Sequence, residues 1–204
     1  FQIGTSTGRP MGLTLLILGL IVFFAPHVFV TRREARAGLI ARIGEAPYKI
    51  AFSVISAIGI VLIAYGFARY RAGGWIDLWY PPVWTRHLAL LLNWVALVCV
   101  VAAYIPGNIK RVLKHPMLVG VKLWAVAHLM SNGDLGSIIL FGSFLAWAVF
   151  DRIAVKRRTD PAAPNVRTGG WTGDVAVLVV GTVAYAAVIF WFHPDVIGVP
   201  VIPR

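Results

Sequence analysis

The sequence predicts an all-α, polytopic integral membrane protein with about six transmembrane helices. Three observations carry this expectation. Hydrophobic residues make up 59% of the 204-residue chain and charged residues only 13%, against about 25% charged in an average soluble domain. The apolar residues are gathered into runs close to the ~20 residues that a helix needs to cross a bilayer. The basic residues fall mostly in the breaks between those runs.

The elements follow in order. Residues 1–10, FQIGTSTGRP, lack an initiator methionine and read as an appended or unstructured tail, so residues 11–204 are expected to form a single transmembrane domain beginning at Met11. The first apolar run, 12–30, is too long for the hydrophobic stretch of a removable signal peptide. In 32–45, Leu39, Ile40 and Ile43 lie among Arg32, Arg33, Arg36 and Arg42, a pattern that predicts a short amphipathic helix on the membrane surface. The second and third runs, 49–68 and 87–105, are punctuated by Gly73-Gly74, Pro81-Pro82 and Pro106-Gly107. The single cysteine, Cys99, lies inside the third run, where it can form no intrachain disulfide and reads as a small apolar residue.

The fourth and fifth runs, 115–131 and 135–151, are the shorter ones. Pro116 in a first turn forfeits no internal hydrogen bond, so His115 is expected just ahead of the fourth helix. Asn132-Gly133-Asp134 is suited to a left-handed turn closing that helix. Gly142 and Ala146, four apart in the fifth run, would permit close helix contact. Pro161 to Pro164 and Gly169-Gly170 precede the last run, 174–192. No internal repeat is visible.

The formal net charge of +11 invites a nucleic-acid reading, but the placement of the charge opposes it. Basic residues between apolar runs orient a membrane protein and touch anionic headgroups. Arg32, Arg33, Arg36, Arg42 and Lys49, then Lys110, Arg111 and Lys114, then Arg152, Lys156, Arg157, Arg158 and Arg167 fall on one side. Arg9, Arg69, Arg71, Arg86 and Arg204 fall on the other, with Lys122 inside a run. The first side is therefore expected to be cytoplasmic, with both termini outside.

Five histidines, His27, His87, His115, His128 and His193, lie in or beside these runs, and no Asp or Glu occupies a run's interior. Ligation by imidazole alone points to Zn, Cu or heme iron rather than Mg or Ca. Heme suits lipid-embedded helices because its bulk is apolar and two imidazoles can close its axial positions. His115 and His128 differ by about 140° in azimuth and roughly 20 Å along one helix, so they cannot share an iron. Trp124 lies one turn before His128 on its face and could wall a flat cofactor or simply pack. Lys122 shares the face of His115 at mid-run, where it could meet a propionate or other anion, or snorkel to the interface.

The block HPMLVGVKLWAVAHLMSNGD, together with PHVFVTRREARAGLIARIGE, LFGSFLAWAVFDR and FHPDVIG, resembles the NnrU family, which includes the 15-cis-zeta-carotene isomerases. The bacterial NnrU branch is the more similar, particularly through LWAVAHLMSNGD. That branch is associated with nitrite and nitric oxide metabolism; the carotenoid branch carries heme b and isomerises a cis double bond. The resemblance implies heme b, iron ligands at His27 and His128, a bacterial inner-membrane location, and a polyene or small gaseous ligand. Where the isomerases carry a cysteine beside the tryptophan, this chain has Ala125, so a thiolate exchange on the iron is not available at that position. Hydropathy sets His27 and His128 about 15 Å apart in depth, whereas axial ligands must approach within about 4 Å. Depth alone would pair His27 with His115, or His87 with His128. The HP-x-x-x-G opening of the fourth run also bears a fainter likeness to membrane isoprenylcysteine and phospholipid methyltransferases, and a non-enzymatic accessory role for a respiratory complex is the third reading.

Overall fold

The protein is described by a computed structural model covering residues 8–157 and 170–202. Its elements are α1 (Gly8–Phe29), α2 (Arg33–Ile43), α3 (Glu45–Ala72), α4 (Val83–Ala102), α5 (Asn108–Leu113), α6 (Pro116–Ser131), α7 (Leu135–Lys156) and α8 (Trp171–Ala187), the last continuing as a π-helix over Val188–Val196. The protein is thus an all-α polytopic membrane protein. Among the described residues, five helices are long and apolar enough to cross a bilayer, counting α8 with its π-helical continuation as one. The fourth run became α6, whose 16 residues reach about 24 Å against a hydrocarbon core of about 30 Å. The helix α1 begins at Gly8, inside the segment expected to be a tail. Residues 1–7, 158–169 and 203–204 lie outside the described residues, so Arg158, Arg167 and Arg204 of the charge count fall there.

The described chain divides into two compact units, one made of residues up to Pro81 with Asn132–Val155, the other of Pro82–Ser131 with the residues from Lys156 onward. In the first unit α1 and α3 pack at backbone distance. Gly12 and Gly19 of α1, and Gly59 and Gly66 of α3, repeat every seven residues, and each faces main-chain atoms of the other helix: Tyr70, Ile63, Phe23 and Leu16 respectively. Helices that share lipid as solvent gain from such van der Waals proximity, which small residues permit. Away from α1, Ile50, Val54, Ile58, Val61 and Tyr65 are all more than half exposed. Their spacing of three and four draws an apolar stripe on the outside of α3, the reverse of a soluble helix and the arrangement lipid requires.

The expected surface helix is α2, which has no buried residue; only Arg36, Leu39 and Ile40 are half-buried along its length. The start of α7 departs from expectation. Gly133 does not have positive φ, so no left-handed turn closes α6. Gly133 is required instead because a β-carbon there would overlap the carbonyl of Trp79. The loop is held by Leu78 and Trp79 N–H groups donating to the Gly133 carbonyl at 2.8 and 3.2 Å, and by Leu135 N–H donating to Ile76 at 2.9 Å. Asp134 then caps α7, accepting from the Ser137 N–H at 2.9 Å and the Ser137 hydroxyl at 2.6 Å. The close approach that Gly142 and Ala146 would permit is not used within this unit: a β-carbon on Gly142 meets nothing within 4 Å, and Ala146 is exposed.

In the second unit α4 packs against both α6 and α8. Its core gathers Val98, Ala102 and Val177, with Trp94, Val101, Ile105 and Ile109 around them. Two side-chain bonds tie α4 to α8: the Trp94 indole donates to the Thr182 hydroxyl at 3.0 Å, and the Tyr185 hydroxyl donates to the Leu90 carbonyl at 2.7 Å. With little water available, such partners satisfy groups that would otherwise be expensive to bury.

Candidate functional site

In α6 the Nδ1 of His128 lies 2.8 Å from the Trp124 carbonyl oxygen. A carbonyl can only accept, so Nδ1 carries the proton and Nε2 is the nitrogen through which this ring would bind a metal. Metal-ligating histidines are usually oriented this way, by donating the other ring nitrogen's proton to a carbonyl or carboxylate. The Trp124 ring lies 5.2 Å from the His128 ring, tilted by 53°, so one turn of helix supplies both the tautomer and an aromatic wall.

The second imidazole beside His128 belongs to His193, which stands in the π-helix. The two ring centres are 6.4 Å apart and their planes differ by 24°. Nδ1 of His193 donates to the Val199 carbonyl at 3.0 Å, while the Val199 N–H donates to the His193 carbonyl, also at 3.0 Å. Gly198 makes this return possible with a φ of 75°, a conformation that costs a β-carbon-bearing residue about 1–2 kcal/mol. Sequence reasoning did not single out His193 as a ligand. The signal lay in FHPDVIG, just past the last apolar run.

In the other unit, Nδ1 of His27 donates to the Phe23 carbonyl at 2.7 Å, which fixes the same tautomer. Its ring stacks on Phe23 at 4.2 Å, lies 4.9 Å from Phe52 and meets Trp147 edge-on at 5.5 Å. Tyr48, Phe52 and Ser56 follow at intervals of four along α3 and therefore share a face. The hydroxyls of Tyr48 and Ser56, the Trp147 indole nitrogen and Nε of Arg36 are buried with no hydrogen-bond partner among the described residues. Each such group costs roughly 1–3 kcal/mol; of their residues, Trp147 meets the His27 ring directly and Arg36 lies over the Tyr48 ring.

The remaining candidates lie apart. His115 is half-buried immediately before Pro116 at the start of α6, at the end of the helix opposite His128. Lys122 is half-buried at mid-helix, and His87 is exposed near the start of α4. His27 belongs to the first unit, and His87, His115, His128 and His193 to the second. No three His, Cys, Asp or Glu side chains converge among the described residues as a metal cage would need. His128 and His193 are neighbouring imidazoles, with Trp124 beside the first.

A family model described as NnrU protein matches residues 15–201. No curated protein and no solved structure matches the chain.

Proposed function

This chain belongs to the NnrU family, and from that membership together with the imidazole geometry we propose that it binds heme b within the membrane, with His128 as an iron ligand. The observation that carries the reading is the 2.8 Å bond from His128 Nδ1 to the Trp124 carbonyl. It supports Nε2 as the nitrogen that would meet a metal, because Nδ1 is committed to the carbonyl. Heme held there would supply a one-electron redox centre able to take up a further small ligand.

The protein's own contribution is orientation and exclusion of water. The Trp124 carbonyl holds the His128 proton, and the Trp124 ring shields one side of that imidazole. Lys122 is the cation available along α6 for a propionate or another anionic group. The family resemblance adds His27 as a ligand candidate, and the aromatic box with its unpaired Trp147 indole nitrogen supports a ligand-contacting role for that residue.

The process such a site would serve is redox-gated: rearrangement of a cis double bond in a polyene, or handling of a small gas such as nitric oxide. The family's link to nitrite and nitric oxide metabolism supports the second. The absence of a thiol at Ala125 removes the exchange route associated with the first. The basic-residue count supports an inner-membrane protein with both termini periplasmic.

The test is a reduced-minus-oxidised spectrum of the detergent-purified protein expressed with added heme precursor. A Soret band whose intensity follows protein concentration is expected. A preparation of intact, folded protein without that band sinks the proposal.

A further inference from the structure

We propose that the segment following α3, residues 75–80, is a bilayer anchor. Trp75, Leu78, Trp79 and Tyr80 lie in the headgroup–acyl boundary of the leaflet opposite α2, and the lipid surface is the partner they bind.

The depth of the segment follows from α3. Lys49 and Arg69 bracket a stretch of that helix with no charged residue. At 1.5 Å per residue the stretch climbs about 30 Å, the thickness of a hydrocarbon core. Arg69 therefore marks the level at which lipid tails give way to headgroups. From there the chain does not run on into water. It reverses at Gly73-Gly74, where Gly74 has a φ of 82°, and returns until the Ile76 N–H donates to the Tyr70 hydroxyl at 2.9 Å. Tyr70 is the residue after Arg69, and its buried ring also lies against Gly136 in the first turn of α7. Ile76 is thus tied within one side chain's reach of the boundary.

The surface shown at that level is aromatic. Tyr80 is 81% exposed, and Trp75, Leu78 and Trp79 are between 40% and 57% exposed. The N–H groups of Leu78, Trp79 and Leu135 hold this backbone, and Gly133 fits against Trp79 without space to spare. The rings are presented on a braced loop rather than left on a loose one. Exposed apolar patches of this kind mark contact sites. Tyr and Trp suit the boundary layer in particular, with an apolar body for the tails and a polar edge for the headgroups.

Charge selects lipid over an apolar protein face. The Arg71 guanidinium carbon lies 5.1 Å from the centre of the Trp75 ring and 5.9 Å from that of Phe67, so a cation rides on the same aromatic surface. Such an attraction strengthens as water is removed, and at headgroup depth a guanidinium meets phosphate, its natural partner. An apolar protein surface closing over the patch would leave that charge without one. The exposed stripe of α3 also ends at Tyr65, one turn before Arg69, so the patch prolongs a lipid-facing surface.

The experiment uses the full-length protein in vesicles of phosphatidylethanolamine and phosphatidylglycerol, on a Cys99→Ala background. Nitroxide labels are attached through Leu78→Cys and Tyr80→Cys, with Val61→Cys on the outer stripe of α3 as the reference for tail depth. Collisions with dissolved oxygen and with a water-soluble nickel chelate measure depth. Both loop labels should meet oxygen more than the chelate, and should lie shallower than the label at Val61. An excess of chelate collisions places the loop in water and overturns the proposal. Exclusion of both reagents also overturns it, since a second copy of the chain or another protein over the loop would give that result. If the Cys99→Ala variants do not fold, the native tryptophans decide. Trp75→Phe combined with Trp79→Phe should lose part of the quenching by lipids brominated near the carbonyl end of their chains, and unchanged quenching overturns the proposal. Neither measurement involves a cofactor, so failure here leaves the heme reading standing, and failure of that reading leaves the anchor.

Discussion

Gly66 of α3 lies so close to Leu16 of α1 that a β-carbon at position 66 would overlap the Leu16 main-chain nitrogen. The main chain cannot yield as a flexible side chain would, so even Gly66→Ala must push the two helices apart. The expected loss is about 1–3 kcal/mol, read as a lower thermal midpoint in detergent. Gly38→Ala is the control. A β-carbon there meets nothing within 4 Å, and removing a mid-helix glycine from α2 should stabilise by roughly 0.5–1 kcal/mol.

Asp134 caps α7 through both carboxylate oxygens, one on the Ser137 N–H and one on the Ser137 hydroxyl. Asp134→Ala leaves the N–H unpaired and should cost about 1 kcal/mol. Asp134→Asn keeps an acceptor for it and should retain most of that. Denaturant midpoints of the two variants, measured side by side, check the ordering.

Asp174, in the first turn of α8, holds the start of α5: its carboxylate accepts from the Ile109 N–H and from the Asn108 side-chain amide, each at 2.9 Å. Asp174→Ala removes both partners at once and should lower the thermal midpoint. Protease sensitivity across 106–114 should rise with it, because α5 has only six residues and too little internal bonding to persist alone.

His128→Ala should reduce the heme retained per protein by at least about tenfold, the scale reached by removing even the outer partner of a metal ligand. Trp124→Ala keeps the carbonyl that orients His128 and removes only the ring, so its loss should be smaller. Pyridine-hemochrome quantitation of both variants checks the order. Equal losses would give the indole a ligand-holding role as large as the imidazole's.

Gly198→Ala should strain the return loop, since φ at this position is 75°, by about 1 kcal/mol. The thermal midpoint in detergent should fall accordingly, and a midpoint equal to wild type would show that the return loop relaxes without cost.

Most of the helical framework was legible because hydrocarbon imposes a crude rule: long apolar runs, charges between them. The runs at 12–30, 49–68 and 87–105 each correspond to a spanning helix, and Pro116 marks the start of α6 as its missing N–H requires. The glycine contacts were legible in kind but not in place. Spacing of seven at Gly12 and Gly19, and at Gly59 and Gly66, was present in the sequence, whereas Gly142 satisfied only a local motif. The role of Gly133 was hidden because it depends on Trp79, far away along the chain. His193 was hidden for a different reason. Reading helices at 3.6 residues per turn gives no means of seeing a π-helical stretch, and the neighbourhood of His128 and His193 follows from that stretch.

The wide turns of Val188–Val196 make the direction of one ring a matter of chain length. Each α-helical residue advances by about 100° and each π-helical residue by less, so the wide turns take up the rotation of roughly one additional residue. Losing one residue ahead of His193 is therefore absorbed where the segment tightens, and turns the imidazole away from His128 only where the wide pitch persists.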